Sequence, residues 1–304
     1  MSVSNKTIQV RKVASFVGQI ISMSTVIGSV CQLMTRCLSI DILEASSWNA
    51  HIRLSIESIW QIQFWVDNIH CINVRKLASH PSCDKIVYSD ASGFAFGGYC
   101  VESKHGIAHG MWNSEEVCKS STWRELVAVF RVLLSLRHEL EGKRVKWFTD
   151  NKNIVNIINK GSMKEDLQTV GLDIYKFCLV NGISLEMDWI PRSRNDKADF
   201  ISNLNDVDDW GVSNQIFDYL NSLWGPFEVD WFASDSNHKI DVFYSRYWNM
   251  ECSGIDAFTT SWSGKRGWFC PPIYLVARVL AKFKEDKVFG CLILADVMSR
   301  WGNF

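Results

Sequence analysis

No run of this sequence reaches the length of a membrane span, which takes about 20 consecutive apolar residues. The start, 1–13, is polar and basic and lacks the apolar core of a secretory signal. Net charge is nearly absent as well: 32 Lys and Arg stand against 33 Asp and Glu, a formal −1. No bulk positive field therefore announces a nucleic-acid partner, and any such binding must be local. Cysteine is present, ten in all, but no CxxC pair occurs among them. A disulfide scaffold is thus not expected; the pattern suits reduced thiols in an intracellular protein, cytoplasmic or nuclear, with no membrane partner.

What is present is a chain of 304 residues, 47% hydrophobic and 21% charged, which fits two domains better than one. Fourteen tryptophans fall near segment edges, a placement that suits filling or capping a core more than stacking on bases. From Lys6 to Asn68 the period is helical. Val10, Val13, Phe16, Ile20 and Ile21 form one apolar face; Leu54, Ile56, Ile59, Trp60, Ile62, Phe64 and Trp65 form another. Asp41, Glu44, Glu57 and Asp67 are dispersed and read as solvated helix charges. The polar break Ala78-Ser79-His80-Pro81-Ser82 ends this helical unit, taken as 1–80.

From Lys85 the period becomes that of strands. Lys85–Ser89, Phe94–Val101 and Gly106–Trp112 predict an antiparallel meander. A helix over Trp123–Glu139 follows, capped by Ser120-Ser121-Thr122, then a strand over Arg144–Thr149 and a helix carrying Ile154, Val155, Ile157 and Ile158. A helix over Lys164–Asn181, a strand over Ser184–Trp189 and a helix over Asn195–Leu204 complete a unit spanning 84–205. That order predicts an α/β fold, a mixed five-stranded sheet with flanking helices, its first strand central and its fourth beside it. An acidic break, 205–210, precedes a small α/β unit over 213–304. There a strand ending at Asp230, another before Pro271-Pro272, a helix over Tyr274–Lys284 and a strand over Val288–Ala295 predict a sheet with its loops on one edge.

Asp90 closes an apolar strand, where an unpaired carboxylate would cost several kcal/mol, so it needs a cation. Asp150 closes the fourth strand, and Glu125 and Asp199 sit near helix starts. Taken singly, Asp150 could be a helix N-cap, Glu125 a partner of the helix dipole and Asp199 a surface acid. Together in one small volume, four acids repel one another unless divalent cations neutralise them, and oxygen ligands select Mg²⁺ or Mn²⁺. Two ions about 4 Å apart would clamp the attacking water and the leaving oxygen of a phosphodiester.

Tyr88-Ser89-Asp90-Ala91-Ser92, Ser121-Thr122-Trp123-Arg124-Glu125-Leu126, Phe148-Thr149-Asp150-Asn151-Lys152 and Asn195-Asp196-Lys197-Ala198-Asp199 resemble the four acidic motifs of type 1 RNase H as found in reverse-transcriptase polyproteins. The resemblance spans Lys85 to Asn205. It implies an RNase H-like fold and metal-dependent endonucleolytic cleavage of the RNA strand of RNA/DNA hybrids, leaving 3′-hydroxyl and 5′-phosphate ends. Asp90, Glu125, Asp150 and Asp199 would be catalytic and hold two ions, and hybrids would be recognised through the 2′-hydroxyl and minor groove. Ser92, Asn151, Lys152, Arg192, Arg194 and Asn195 are the candidate nucleic-acid contacts, with Lys160 a further local cation; a solvated positive face is the alternative for the cations.

Two departures stand out. The loop Pro191-Arg192-Ser193-Arg194-Asn195 lacks the histidine many members carry there, which implies slow turnover. Only Gly161-Ser162-Met163 separates the two helices where cellular members insert a basic handle. The helical unit resembles the thumb and connection of the same polyproteins, notably tyrosine-recombinase retrotransposons of the DIRS type, on Arg11-Lys12-Val13-Ala14-Ser15-Phe16-Val17-Gly18 and Ile62-Gln63-Phe64-Trp65. No Tyr-x-Asp-Asp motif occurs, so no DNA synthesis is expected, and the chain reads as a piece of a larger protein whose polymerase portion would be a partner. The tail resembles phage-type adenine-N6 DNA methyltransferases, with Cys270-Pro271-Pro272-Ile273 at the position of their adenine-holding tetrad. Cysteine is a poor acceptor for the adenine amino group and isoleucine does not stack, so the tail is expected to be degenerate, with Asp230 and Asp256 as turn or cap acids. The rival functions are a DNA adenine methyltransferase and a decayed or domesticated nucleic-acid-binding module without turnover.

Overall fold

The computed structural model describes residues 7–72, 82–204 and 210–294. Most of the expected linker, 78–81, and the acidic stretch 205–209 lie outside the described residues. The first elements are β1 (Ile8–Gln9), α1 (Val10–Ser22), α2 (Ser24–Ile27), α3 (Val30–Leu33), α4 (Arg36–Leu43), β2 (His51–Ile52) and α5 (Ile56–Ile72). Val10, Val13, Val17 and Ile20 recur at helical spacing and form the buried face of α1, where Val13 and Val17 meet Leu38 of α4. The expectation of helices alone is corrected by β1 and β2, which pair antiparallel through Ile8↔Ile52 and Gln9↔His51. Two-residue strands carry no readable period.

Two further corrections concern burial. On α5 the core side chains are Phe64 and Trp65, whereas Ile56 is 78% exposed and Ile59 is 42% exposed. The inner side of α5 also carries buried Gln61, whose Nε2 donates to the Leu33 carbonyl and whose Oε1 accepts from Leu38 N. A buried amide is tolerated there because both ends are paired. Asp41 is buried rather than solvated, accepting from Ser55 N and Ser55 Oγ at the entry to α5.

The central region runs β3 (Lys85–Ala91), β4 (Ala95–Cys100), β5 (Ile107–Met111), α6 (Ser114–Val117), α7 (Ser121–Ser135), α8 (Arg137–Leu140), β6 (Arg144–Thr149), α9 (Lys152–Lys160), α10 (Glu165–Val180), β7 (Ser184–Trp189) and α11 (Asp196–Ser202). Its sheet has the order β5-β4-β3-β6-β7, with β4–β5 antiparallel and β6–β7 parallel. This is the mixed five-stranded sheet with flanking helices read from the sequence, β3 central and β6 beside it. The helix expected over Trp123–Glu139 divides instead into α7 and α8. Near the break, Ser135 Oγ donates back to the Arg131 carbonyl, a side-chain bond that competes with the helix's own.

The chain packs as two compact units, 1–87 with 120–130 and 140–195, and 88–119 with 131–139 and 196–304; the division passes within β3 and within α7. The tail contains α12 (Asn214–Trp224), β8 (Val229–Asp230), β9 (Tyr244–Ser245), β10 (Gly254–Ile255), β11 (Arg266–Phe269), α13 (Val276–Asp286) and β12 (Phe289–Leu292). A three-stranded parallel sheet, β12-β11-β8, and a parallel pair, β9–β10, form its framework. Trp231, Trp262, Trp268 and Phe269 are fully buried in its core, so these three tryptophans fill the interior, whereas Trp224 is exposed. No described helix is long and apolar enough to cross a membrane.

Candidate active site

Asp90 stands one residue before the end of β3 and is only 7% exposed. Ser202 Oγ donates to Asp90 Oδ2 at 2.5 Å and lies 3.0 Å from the Asp199 carbonyl oxygen. One hydroxyl has one proton, and the charged acceptor takes it. The approach of α11 depends on Gly97 in β4: a Cβ there would sit 2.4 Å from Ser202 N. The hairpin joining β3 to β4 is closed by Ser92, whose hydroxyl accepts from Phe94 N and Ala95 N.

Glu125 lies on α7, half-buried and beyond its first turn, so a dipole partnership at the helix start does not explain it. The start of that helix is held by Ser120, whose hydroxyl accepts from Trp123 N. Asp150 follows β6 directly, and Trp189 Nε1 at the end of β7 donates to its carbonyl at 2.9 Å. The N-cap of α9 is Asn151, which accepts from Asn153 N, so Asp150 is not needed as a cap.

The carboxylates of Asp90, Glu125 and Asp150 each offer an oxygen within 4.8 Å of the others. At that spacing each pair of charges repels by about 3 kcal/mol at an effective dielectric constant of about 20. Three oxygen donors with no nitrogen or sulfur suit a hard divalent cation, and such an ion offsets the repulsion that the fold imposes. Asp199 is not a member of that triad. It sits half-buried in the first turn of α11, three residues before Ser202 and thus on nearly the same side of the helix.

Of the candidate nucleic-acid contacts, Lys152, Arg192 and Arg194 are exposed, and Lys152 Nζ lies 4.2 Å over the Trp189 ring. Asn195 is 1% exposed and so offers almost no accessible surface in that loop. Lys160 is exposed, and its carbonyl accepts from Arg36 Nε. Sequence reasoning missed Ser202, Trp189 and Gly97. The Asp199-x-x-Ser202 spacing was the available signal for the first; the other two act through contacts distant in sequence. Because the Ser202 hydroxyl holds buried Asp90 in place, Ser202→Ala is expected to lower Tm and to weaken Mg²⁺ binding about tenfold, read as a rightward shift in a Mg²⁺ titration.

In the tail, Cys270 is buried and its thiol is pushed up to about 12 by desolvation, while Ile273 is 54% exposed. Burial likewise pushes the Asp230 carboxyl up to about 6, and Asp230 Oδ2 accepts from Lys239 N, fixing the intervening loop. Asp256, at φ +50°, accepts from Phe258 N as the cap of a 3₁₀ turn. Both acids thus hold backbone, as turn and cap residues do.

No protein-family model matches the sequence, and no curated protein does. Among solved structures, the chain is similar to RNases H. LC11-RNase H1 in complex with an RNA/DNA hybrid is 18% identical, with 39% of this chain and 93% of that one covered and a TM-score of 0.34. RNase H1 from the halophilic archaeon Halobacterium salinarum is 18% identical over 39% of this chain and 94% of that one, TM-score 0.33. The foamy viral protease-reverse transcriptase in complex with an RNA/DNA hybrid is 11% identical over 69% of this chain and 27% of that one, TM-score 0.26.

Proposed function

We propose that the chain is a metal-dependent endonuclease that cuts the RNA strand of RNA/DNA hybrids, as part of a reverse-transcriptase polyprotein of the tyrosine-recombinase retrotransposon type. The observation that carries this reading is the convergence of Asp90, Glu125 and Asp150 from two strand ends and a helix, within 4.8 Å. The four acidic motifs along the chain support it, with Asp199 as the fourth carboxylate. Asp90, Glu125 and Asp150 would hold Mg²⁺ or Mn²⁺, and a second ion would call on Asp199. Bound divalent ions supply activation of water and neutralisation of the developing phosphorane charge.

The protein's own residues do the rest. Asp90 is oriented by the Ser202 hydroxyl, which donates to its Oδ2. The carbonyl of Asp150 is anchored by Trp189, which fixes the turn leading into α9. Lys152, Arg192 and Arg194, all exposed, would meet phosphates as a local substitute for the absent basic handle. The tail is read as non-methylating, because buried, protonated Cys270 offers the adenine amino group no strong acceptor.

The test is cleavage of a duplex with its RNA strand labelled, in Mg²⁺. The expected result is internal cuts in RNA paired to DNA, with 3′-hydroxyl and 5′-phosphate ends, and no cutting of the DNA strand or of single-stranded RNA. Cleavage of all three substrates alike, or of none in either Mg²⁺ or Mn²⁺, would overturn the reading.

A further inference from the structure

A cavity of about 380 Å³ in the tail lies apart from the carboxylates in its residues and chemistry. Phe232, Tyr244, Tyr247 and Phe258 line it together with Arg246 and Arg278. Phe232 follows β8, Arg246 and Tyr247 follow β9, and Asp256 follows β10. The lining is therefore drawn from the carboxyl ends of parallel strands, where open α/β sheets place ligands. Its volume falls within the range, about 300–1,000 Å³, of small-molecule sites.

The chemistry of the walls selects a ligand class. Several aromatic rings suit a planar heteroaromatic group. The Arg278 guanidinium carbon lies 3.8 Å from the Phe258 ring centroid, and that of Arg246 lies 5.2 Å from the Tyr247 centroid. A guanidinium placed over a ring keeps its N–H donors in its own plane, which suits bidentate recognition of phosphate. Asp256, also in the lining, accepts from Phe258 N. Neither Cys270 nor Ile273 lines this space, so the Cys-Pro-Pro-Ile run contributes only Pro272.

We propose that this cavity binds a nucleobase carrying a 5′-phosphate, either as a free nucleotide or as the 5′ end of a strand. The stacked base lies among the rings and the phosphate meets Arg246 and Arg278. This inference stands independently of the hydrolytic reading, because it can be tested with the carboxylates stripped of metal.

The full chain is titrated calorimetrically in EDTA with AMP, adenosine, S-adenosylmethionine, and short DNA strands bearing either a 5′-phosphate or a 5′-hydroxyl. AMP is expected to bind about tenfold more tightly than adenosine, and Arg246→Gln with Arg278→Gln to remove that difference while leaving adenosine binding unchanged. A 5′-phosphorylated strand that binds at least as tightly as AMP, and tighter than its hydroxyl counterpart, assigns the ligand to strand ends. Binding of AMP alone assigns it to free nucleotides. Equal affinity for adenosine and AMP, tighter binding of S-adenosylmethionine than of AMP, or no saturable binding of any probe would overturn the proposal. The comparison of AMP with adenosine needs only the parent protein, so a misfolded variant leaves the test intact.

Discussion

Asp90→Asn is expected to lower Mg²⁺-supported cleavage of the hybrid by about a thousandfold or more, equivalent to about 4 kcal/mol of transition-state stabilisation. Asp90 is 7% exposed, and its Oδ2 already receives the Ser202 hydroxyl. The amide keeps the shape and that hydrogen bond but loses the charge that a cation requires. Its effect on stability should have the opposite sign. Removing one of three mutually repelling carboxylates leaves the metal-free variant with a Tm at or above the parent's, while the rise in Tm on adding Mg²⁺ shrinks. Activity and Tm measured together therefore separate a lost ligand from a damaged fold. Equal cleavage by parent and variant would remove Asp90 from the site.

Gly97→Ala should cost about 3 kcal/mol of stability and most of the activity, although Gly97 carries no functional group. Its added Cβ would lie 2.4 Å from Ser202 N and 2.7 Å from the Ile201 carbonyl carbon, both backbone atoms that no rotamer change can clear. The helix α11 would have to move outward, taking Ser202 from Asp90 and shifting Asp199 with it. Gly93→Ala is the matched control: nothing lies within 4 Å of its added Cβ, and its effect on urea or thermal unfolding should stay within about 0.5 kcal/mol. Equal stability of the two variants would mean that α11 is not held by close backbone contact.

The strands that bracket the carboxylates were legible because their burial follows a simple rule. Val145, Trp147 and Thr149 alternate inward along β6, and the bounds read for β6 and β7 coincide with those observed. Asp90 and Asp150 stood out for a related reason: an acid that terminates an apolar strand has few structural explanations. The members that depend on tertiary approach were not legible. Nothing local to Gly97 shows that a helix from beyond residue 195 rests on it, and nothing local to Trp189 shows that its indole anchors Asp150. The exposed faces of Ile56 and Ile59 misled because apolar character alone does not say which side of a helix finds a partner. At Asp41, likewise, a charge that reads as solvated instead accepts from Ser55, whose own hydroxyl accepts from Ser58 N at the start of α5.

The outer strand of the five-stranded sheet carries a consequence for how the chain is made. β5 does not end its hydrogen bonding at β4: His109 N donates to the Trp248 carbonyl and Trp248 N donates to the Ile107 carbonyl, with Ala108 and Trp248 bridged in parallel. During synthesis, that side of β5 therefore waits for a segment well over a hundred residues downstream to emerge before its backbone groups are satisfied. In the interval it is a bare template for strand addition, the kind of surface that nascent chains use for mispairing. The tail thus acts as a delayed edge guard that ties completion of the central sheet to synthesis of the chain past Trp248.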